Sequence, residues 1–229
     1  MSAKRYNIMI HHNHSYYKRL NMSILHRASF YQSASKVSQL PAPRGPEVCF
    51  VGRSNAGKSS AINVLTNQKR LAFSSKTPGR TRLINIFGIP DSLDPDNPLG
   101  YLVDLPGYGY ASVAQDAQQE WGKELGDYLV KRPSLAGVVL LIDIRRGITK
   151  HDYGLVNWIA QAKRPVLILL TKADKLPYGQ RQKAIAEIRK EIASQLGDVE
   201  TIAFSATNRI GIEEADEKIL NWISPQVVP

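Results

Sequence analysis

Apolar residues in this chain fall into short unbroken runs separated by stripes at helical spacing. Val48-Cys49-Phe50-Val51 is the first run, and it breaks at Gly52. Later runs are Leu83–Ile89, Tyr101–Val103, Gly137–Asp143, Val166–Leu170 and Val199–Phe204. Those without polar alternation read as strands buried on both faces, as in parallel sheets. Between them the apolar positions recur every three or four residues. Trp121, Leu125, Tyr128 and Leu129 mark a helix over 114–131, and Ile185, Ile188, Ile192 and Leu196 another over 181–196. Ile212, Ala215, Ile219, Trp222 and Ile223 form the stripe of a last helix, and shorter helices are expected over 61–66 and 151–162. The turn-rich segment 91–98 is too short for a crossover helix, so the two strands it joins are expected to be antiparallel. The pattern predicts an α/β fold: a six-stranded, mostly parallel, doubly wound sheet with one antiparallel strand and helices on both faces. Its site should lie at the carboxyl ends of the strands.

Residues 1–45 stand outside this alternation. They carry seven Lys/Arg, four of the five histidines and no acid, and lead into Pro41-Ala42-Pro43-Arg44-Gly45-Pro46. They read as a basic, flexible extension, with the domain proper over 46–226. Three origins stay open: a tail, a reading frame that opens at Met22, and an organellar targeting segment. The His11, His12, His14 group has no matching ligand spacing elsewhere and is not read as a metal site. Ser29-Phe30-Tyr31-Gln32 is apolar enough to pack on the domain as a short helix or strand.

Charge changes the picture more than composition does. The net charge is +10, but residues 1–90 hold 14 Lys/Arg against one acid, Glu47, while 91–229 hold 16 against 19. That asymmetry points to a polyanionic partner, nucleic acid before membrane. No apolar run reaches the ~18–20 residues of a membrane span. The lone cysteine, Cys49, excludes an internal disulfide framework and reads as a small buried hydrophobe.

The chemistry sits at the ends of the strands. Gly52-Arg53-Ser54-Asn55-Ala56-Gly57-Lys58-Ser59-Ser60 lies between a strand and a helix, the context that makes GxxxxGK[ST] a phosphate loop. Its N–H groups and the helix N-terminus face the anion, Lys58 supplies an ammonium for β- and γ-phosphates, and Ser59 a hydroxyl for Mg²⁺. Leu71 to Arg82 contains Ser-Lys-Thr-Pro-Gly-Arg-Thr and reads as a mobile loop. Asp104-Leu105-Pro106-Gly107 ends the next strand; its carboxylate suits Mg²⁺ through water, and the Gly107 N–H suits the γ-phosphate.

Thr171-Lys172-Ala173-Asp174 and Ser205-Ala206-Thr207 follow two further strands. An aspartate there can accept from both N1–H and N2–H₂ of guanine, a donor pair that adenine lacks. The Ala206 N–H suits guanine O6, and the Lys172 stem can lie along the base. Alone, this stretch would read better as a strand-to-helix turn with Asp174 as a cap.

Together GRSNAGKSS, SSKTPGRT, DLPGYGYA, LTKADK and FSAT resemble the Era-like P-loop GTPases, and within them the EngB (YihA/YsxC) family of ribosome-biogenesis GTP-binding proteins, over roughly 40–224. The resemblance implies a GTP-hydrolysing switch that assists assembly of the large ribosomal subunit, with bacterial septation depending on it indirectly. It implies Mg²⁺, GTP and GDP as ligands, a cytoplasmic monomer, and rRNA contact through the basic N-terminal and first-switch regions. Asn55, Gly57, Lys58 and Ser59 would hold phosphates and Mg²⁺. Thr81, in the loop with Gly79, would be the first-switch threonine on Mg²⁺, with Thr77 its rival. Asp104 and Gly107 would form the second switch, and Thr171, Lys172 and Asp174 would read the base. The catalytic group would be Lys58, Thr81, Gly107 and Asn55. Lys69, Arg70, Lys76, Arg80 and Arg82 are the candidate rRNA contacts.

Two departures matter. Thr171 stands where the common fourth motif has Asn, as it does in family members. Tyr108 stands where many GTPases place a water-orienting Gln, so intrinsic hydrolysis should be slow. A ribosomal partner, or K⁺ held with the help of Asn55, would supply the missing charge stabilisation. The competing readings are a nucleotide-gated protein adaptor with incidental hydrolysis and an ATP-dependent phosphoryl transferase; Asp174 argues against the latter.

Overall fold

The computed structural model describes residues 23–42, 44–73, 83–91, 94, 97–108 and 115–224, with backbone alone for 115–121 and His151. Its strands are β1 Ser29–Ala34, β2 Glu47–Gly52, β3 Ile84–Ile89, β4 Gly100–Asp104, β5 Leu135–Asp143, β6 Val166–Thr171 and β7 Glu200–Ala203. Its α-helices are α1 Lys58–Leu65, α2 Gln115–Lys131, α3 Lys150–Ala162, α4 Tyr178–Leu196 and α5 Ile212–Ile223.

The sheet order is β1-β3-β4-β2-β5-β6-β7. β2 pairs in parallel with β4 and β5, β5 with β6, and β6 with β7. β3 is antiparallel to both β4 and β1, and is the one reversed strand among those described. The antiparallel pair expected from the short 91–98 connection is therefore present.

The strand count is corrected from six to seven. Ser29–Ala34 pairs along β3 with a bulge between Phe30 and Gln32, resolving the helix-or-strand alternative in favour of a strand. A strand ahead of residue 46 is thus part of the sheet. The reason for the miscount is local: β1 shows burial only at its end, at Ala34, and so lacks the alternation that announces a half-buried strand. The preceding turn Ile24–Arg27 also belongs to the fold, since Leu25 is fully buried and Ser23 Oγ donates to Asp216 Oδ1 of α5 at 2.5 Å. Residues 1–22, with the His11, His12, His14 group, lie outside the described residues.

Period-2 alternation along the strands divides the core between the two faces. Val48, Phe50, Phe87, Leu102, Val139, Leu141 and Phe204 meet α1 and α5 through Ile62, Leu65, Ile219 and Ile223. Cys49, Val51, Val103, Val138, Leu140, Ile142 and Ile168 meet α2, α3 and α4 through Leu125, Leu129, Ile159, Ile188 and Ile192. Cys49 is fully buried, and burial pushes its thiol pKa up, as expected of a packing residue.

The one acid of the first 90 residues is internal. Glu47, 3% exposed, accepts from Arg132 Nη2 at 2.6 Å and from Tyr128 Oη at 2.8 Å. Its charge is thus absorbed by an arginine from the other half of the chain.

Candidate nucleotide site

β2 ends at Gly52 and α1 begins at Lys58, so the intervening loop spans the carboxyl edge of the sheet between a strand and a helix N-terminus. Gly57 is the N-cap at φ 91°, a left-handed conformation that a side chain disfavours. It brings no side chain to cap the first turn, which leaves the early α1 amides as donors toward an anion. Asn55 is also left-handed, at φ 64°, and exposed. Arg53, Ser54 and Ala56 complete the curve, and Ser59 and Ser60 open the helix.

Two long-range bonds fix this loop to the strand that carries TKAD. Thr171 Oγ1 donates to Ala56 O at 2.6 Å, and both groups are buried. Lys172 Nζ donates to Asn55 O at 2.8 Å and pairs with Asp143 Oδ2 at 2.9 Å. Lys172 itself is left-handed, at φ 60°, which turns its side chain back over the loop.

Asp104, at the end of β4, receives Lys58 Nζ at 2.5 Å. Gly107 packs against the loop at Ser54, and Ser54 N donates to Tyr108 O at 2.9 Å. The Tyr108 phenol is a donor to Asp152 Oδ1. Burial and the neighbouring Asp152 charge push its pKa up, keeping it protonated. Ser54 Oγ is buried without a hydrogen-bond partner.

On the far side, Ser205 Oγ donates to Asp174 Oδ1 at 2.6 Å and accepts from Asn208 N at 3.1 Å. Lys175 Nζ lies 3.0 Å from Asp174 Oδ2. The Ser205 bond, then Lys175, hold the Asp174 pKa below the usual carboxylate range, so it is an acceptor-only group. Ala206 and Thr207 follow Ser205 in the turn closed by the Ser205–Ile210 bridge.

The phosphate loop, Asp104–Gly107, Thr171–Asp174 and Ser205–Thr207 thus share one edge of the sheet. Gly79, Thr77 and Thr81, with Lys76, Arg80 and Arg82, lie outside the described residues. Among the described residues no cluster of three or more His, Cys, Asp or Glu side chains stands ready to hold a metal. The Ser59 and Asp104 oxygens are nevertheless hard donors of the kind Mg²⁺ takes, and that ion completes its shell with phosphate and water rather than protein.

Sequence reasoning passed over Asp143, Arg145 and Asp152. Asp143 Oδ2 accepts from Arg145 Nη2 at 2.7 Å. Burial opposes its charge, but the bonds from Arg145 and Lys172 outweigh that and hold its pKa well below the usual range. The available signal was its place at the end of a strand, on the same edge as Asp104. A cavity of about 790 Å³ lies at the opposite pole, lined by Lys163, Arg164, Arg189 and Trp222 among others. Lys163 caps the C-terminus of α3, Arg189 Nη2 donates to Thr201 O at 3.0 Å, and no motif converges on the cavity.

Residues 47–172 match the family described as 50S ribosome-binding GTPase. A probable GTP-binding protein EngB of Bordetella pertussis is 66% identical over 208 residues, spanning 91% of this chain and 100% of that protein. The corresponding protein of Ralstonia nicotianae is 48% identical over 215 residues, spanning 91% and 92%. This chain belongs to the EngB family of GTP-binding proteins.

It is accordingly a GTP-binding protein with a GTPase domain, and GTP hydrolysis follows from that membership. The crystal structure of a probable GTP-binding protein engB superposes with a TM-score of 0.59 at 23% identity, covering 77% of this chain and 98% of that one. Era in complex with MgGDPNP and nucleotides 1506–1542 of 16S ribosomal RNA gives 0.58 at 23% identity, covering 79% and 57%. At such identities the likeness speaks for the fold, here a P-loop GTPase fold. Among the described residues no helix is long and apolar enough to cross a membrane.

Proposed function

We propose that this EngB-family chain is a GTP-driven switch that assists assembly of the large ribosomal subunit, acting as a cytoplasmic monomer. The observation that carries the reading is the placement of charge. Residues 1–90 have 14 Lys/Arg and one acid, and that acid, Glu47, is buried on Arg132. The segment therefore has no exposed carboxylate of its own. Lys69 and Arg70 are exposed in the turn after α1, beside the loop expected to respond to nucleotide. RNA is the polyanion such a surface fits, and the matched family is described as ribosome-binding.

In this reading the loop from Gly52 to Ser60 cradles the phosphates, with Lys58 on the β- and γ-phosphates. Mg²⁺ would be held by Ser59, Thr81 and Asp104, and would neutralise phosphate charge. The Gly107 N–H reports the γ-phosphate, and Gly79 and Thr81 belong to the loop that GTP orders. Asp174, pinned by Ser205, reads guanine, with Lys172 along the base and the Ala206–Thr207 backbone at O6. Intrinsic hydrolysis is slow because Tyr108 cannot orient water as Gln does. K⁺ beside Asn55 fits the missing charge, and equal turnover in KCl and NaCl would remove it from the scheme.

The deciding experiment is co-sedimentation with large ribosomal subunits in a non-hydrolysable GTP analogue or GDP. Binding should require the analogue, weaken steeply with salt, and be lost in Lys58→Ala and in Lys69→Glu/Arg70→Glu. Intact guanine-nucleotide affinity with no subunit binding in either state would move the partner to a protein and favour the adaptor.

A further inference from the structure

Tyr108 occupies the position after DxxG, and its phenol is turned to a partner in another element. Tyr108 Oη donates to Asp152 Oδ1 in the first turn of α3. The other oxygen of that carboxylate accepts from Thr149 N at 2.7 Å and Thr149 Oγ1 at 2.6 Å, closing the α3 capping box. Asp152 is 3% exposed, so each of these bonds is charge-assisted in a poorly solvated place. Capping needs only one carboxylate oxygen. The second is spent on Tyr108.

The Tyr108 main chain is anchored too. Its carbonyl accepts from Ser54 N at 2.9 Å, and Tyr108 pairs with Arg53 in an isolated parallel bridge beyond the β2–β4 ladder. Two residues before Gly107, Leu105 is fully buried. Gly107 is thus bracketed on both sides and held close to the loop. A Cβ there would lie 3.0 Å from Ser54 N and 3.1 Å from Ser54 Cα, tighter than real contacts allow without movement.

We propose that Asp152 is a positioning residue for GTP hydrolysis, fixing through the Tyr108 phenol where Gly107 stands over the phosphate loop. The proposal rests on the second-switch reading of Asp104–Tyr108 and deepens it. Packing alone accounts for the Tyr108 ring but not for the pairing of its hydroxyl with a helix-capping carboxylate. A chain without a water-orienting side chain relies on backbone placement, and α3 supplies the fixed point. Loss of such placement lowers kcat rather than nucleotide affinity.

The test compares GTP hydrolysis by the full chain carrying Asp152→Asn, Tyr108→Phe, or both. Asn at 152 keeps its Oδ1 for the Thr149 N–H and offers the phenol only an N–H₂, so the charge-assisted bond from Tyr108 is replaced by a weaker, neutral one of reversed direction. Each single variant should lower kcat roughly 10-fold, with GDP affinity within about two-fold of wild type. The double variant should fall no further than the worse single, since both remove one interaction. Thr149→Val serves as the structural control: it weakens the α3 cap and lowers Tm, yet should leave kcat in place. Unchanged kcat in both singles, losses that multiply in the double, or an equal loss in Thr149→Val would each overturn the proposal. Hydrolysis that survives Gly107→Ala and Asp104→Asn would overturn the second-switch reading itself.

Discussion

Lys58 Nζ stands 2.5 Å from Asp104 Oδ1, so the phosphate-loop cation and the carboxylate ending β4 are each other's partner. Their side chains are only 12% and 5% exposed, which places the pair in the buried regime. Removing one member strands a desolvated charge. Lys58→Met should therefore lower stability in urea by about 3 kcal/mol, and Lys58→Met/Asp104→Leu should recover most of that loss. Additive losses in the double variant would show the contact to be incidental. In the proposed reading, phosphate at Lys58 and Mg²⁺ near Asp104 would separate the two groups, so GTP affinity and stability should respond together.

Asp174 accepts from Ser205 Oγ and lies beside Lys175, which leaves it ionised and oriented. Asp174→Asn replaces an acceptor with a donor. Guanine's two N–H groups would then face an N–H₂, whereas xanthine offers a carbonyl at that edge. GDP affinity should fall at least about 100-fold and xanthosine diphosphate should become the better ligand. Unchanged GDP affinity would move base recognition away from this residue.

Thr171 is the departure from the common fourth motif, and its hydroxyl binds the buried Ala56 carbonyl at 2.6 Å. Thr171→Val keeps the shape and deletes the donor, leaving that carbonyl unsatisfied. The expected cost is about 1–3 kcal/mol of stability, together with faster GDP release as the loop loosens. Calorimetry and nucleotide off-rates on the same variant would show whether the two effects travel together.

Asp216 gives a pH signature. Burial, with help from Glu213 and Glu217, raises its pKa to about 6, against the favourable bond from Ser23. The folded chain thus holds this proton more tightly than the unfolded chain, so the group's contribution falls as pH rises from about 4 through about 6. Above that window the charged form costs about 1–2 kcal/mol, allowing for partial exposure. Asp216→Asn should be more stable than wild type at pH 7.5 and show little advantage at pH 4. Urea titrations at the two pH values measure this directly, and equal gains at both would refute it.

What the chain order announced was local. Val48–Val51 followed by Gly52–Ser60, and Tyr101–Val103 followed by Asp104–Gly107, are strand-to-turn transitions whose conformation and chemistry are set within ten residues. β1 was not legible in the same way. Phe30 and Tyr31 remain 60% and 40% exposed, and only pairing with β3 makes that stretch a strand. The edge strand therefore had the composition of a surface segment.

By itself the sequence determined the doubly wound architecture and the standing of the Gly52–Ser60 loop and Asp174 at the ends of strands. Each depends on periodicity or on donors and acceptors close along the chain. Only the tertiary structure decided what holds those parts in place. Thr171 reaches Ala56 across 115 positions, Lys172 reaches Asn55 across 117, and Tyr108 reaches Asp152 across 44. Hydrogen bonds of this kind carry no local signature, because a side chain's partner is set by the crossover that brings two strand ends to one edge of the sheet. The same holds for Glu47, whose charge looked available in the sequence and was removed from the surface by Arg132, 85 residues away.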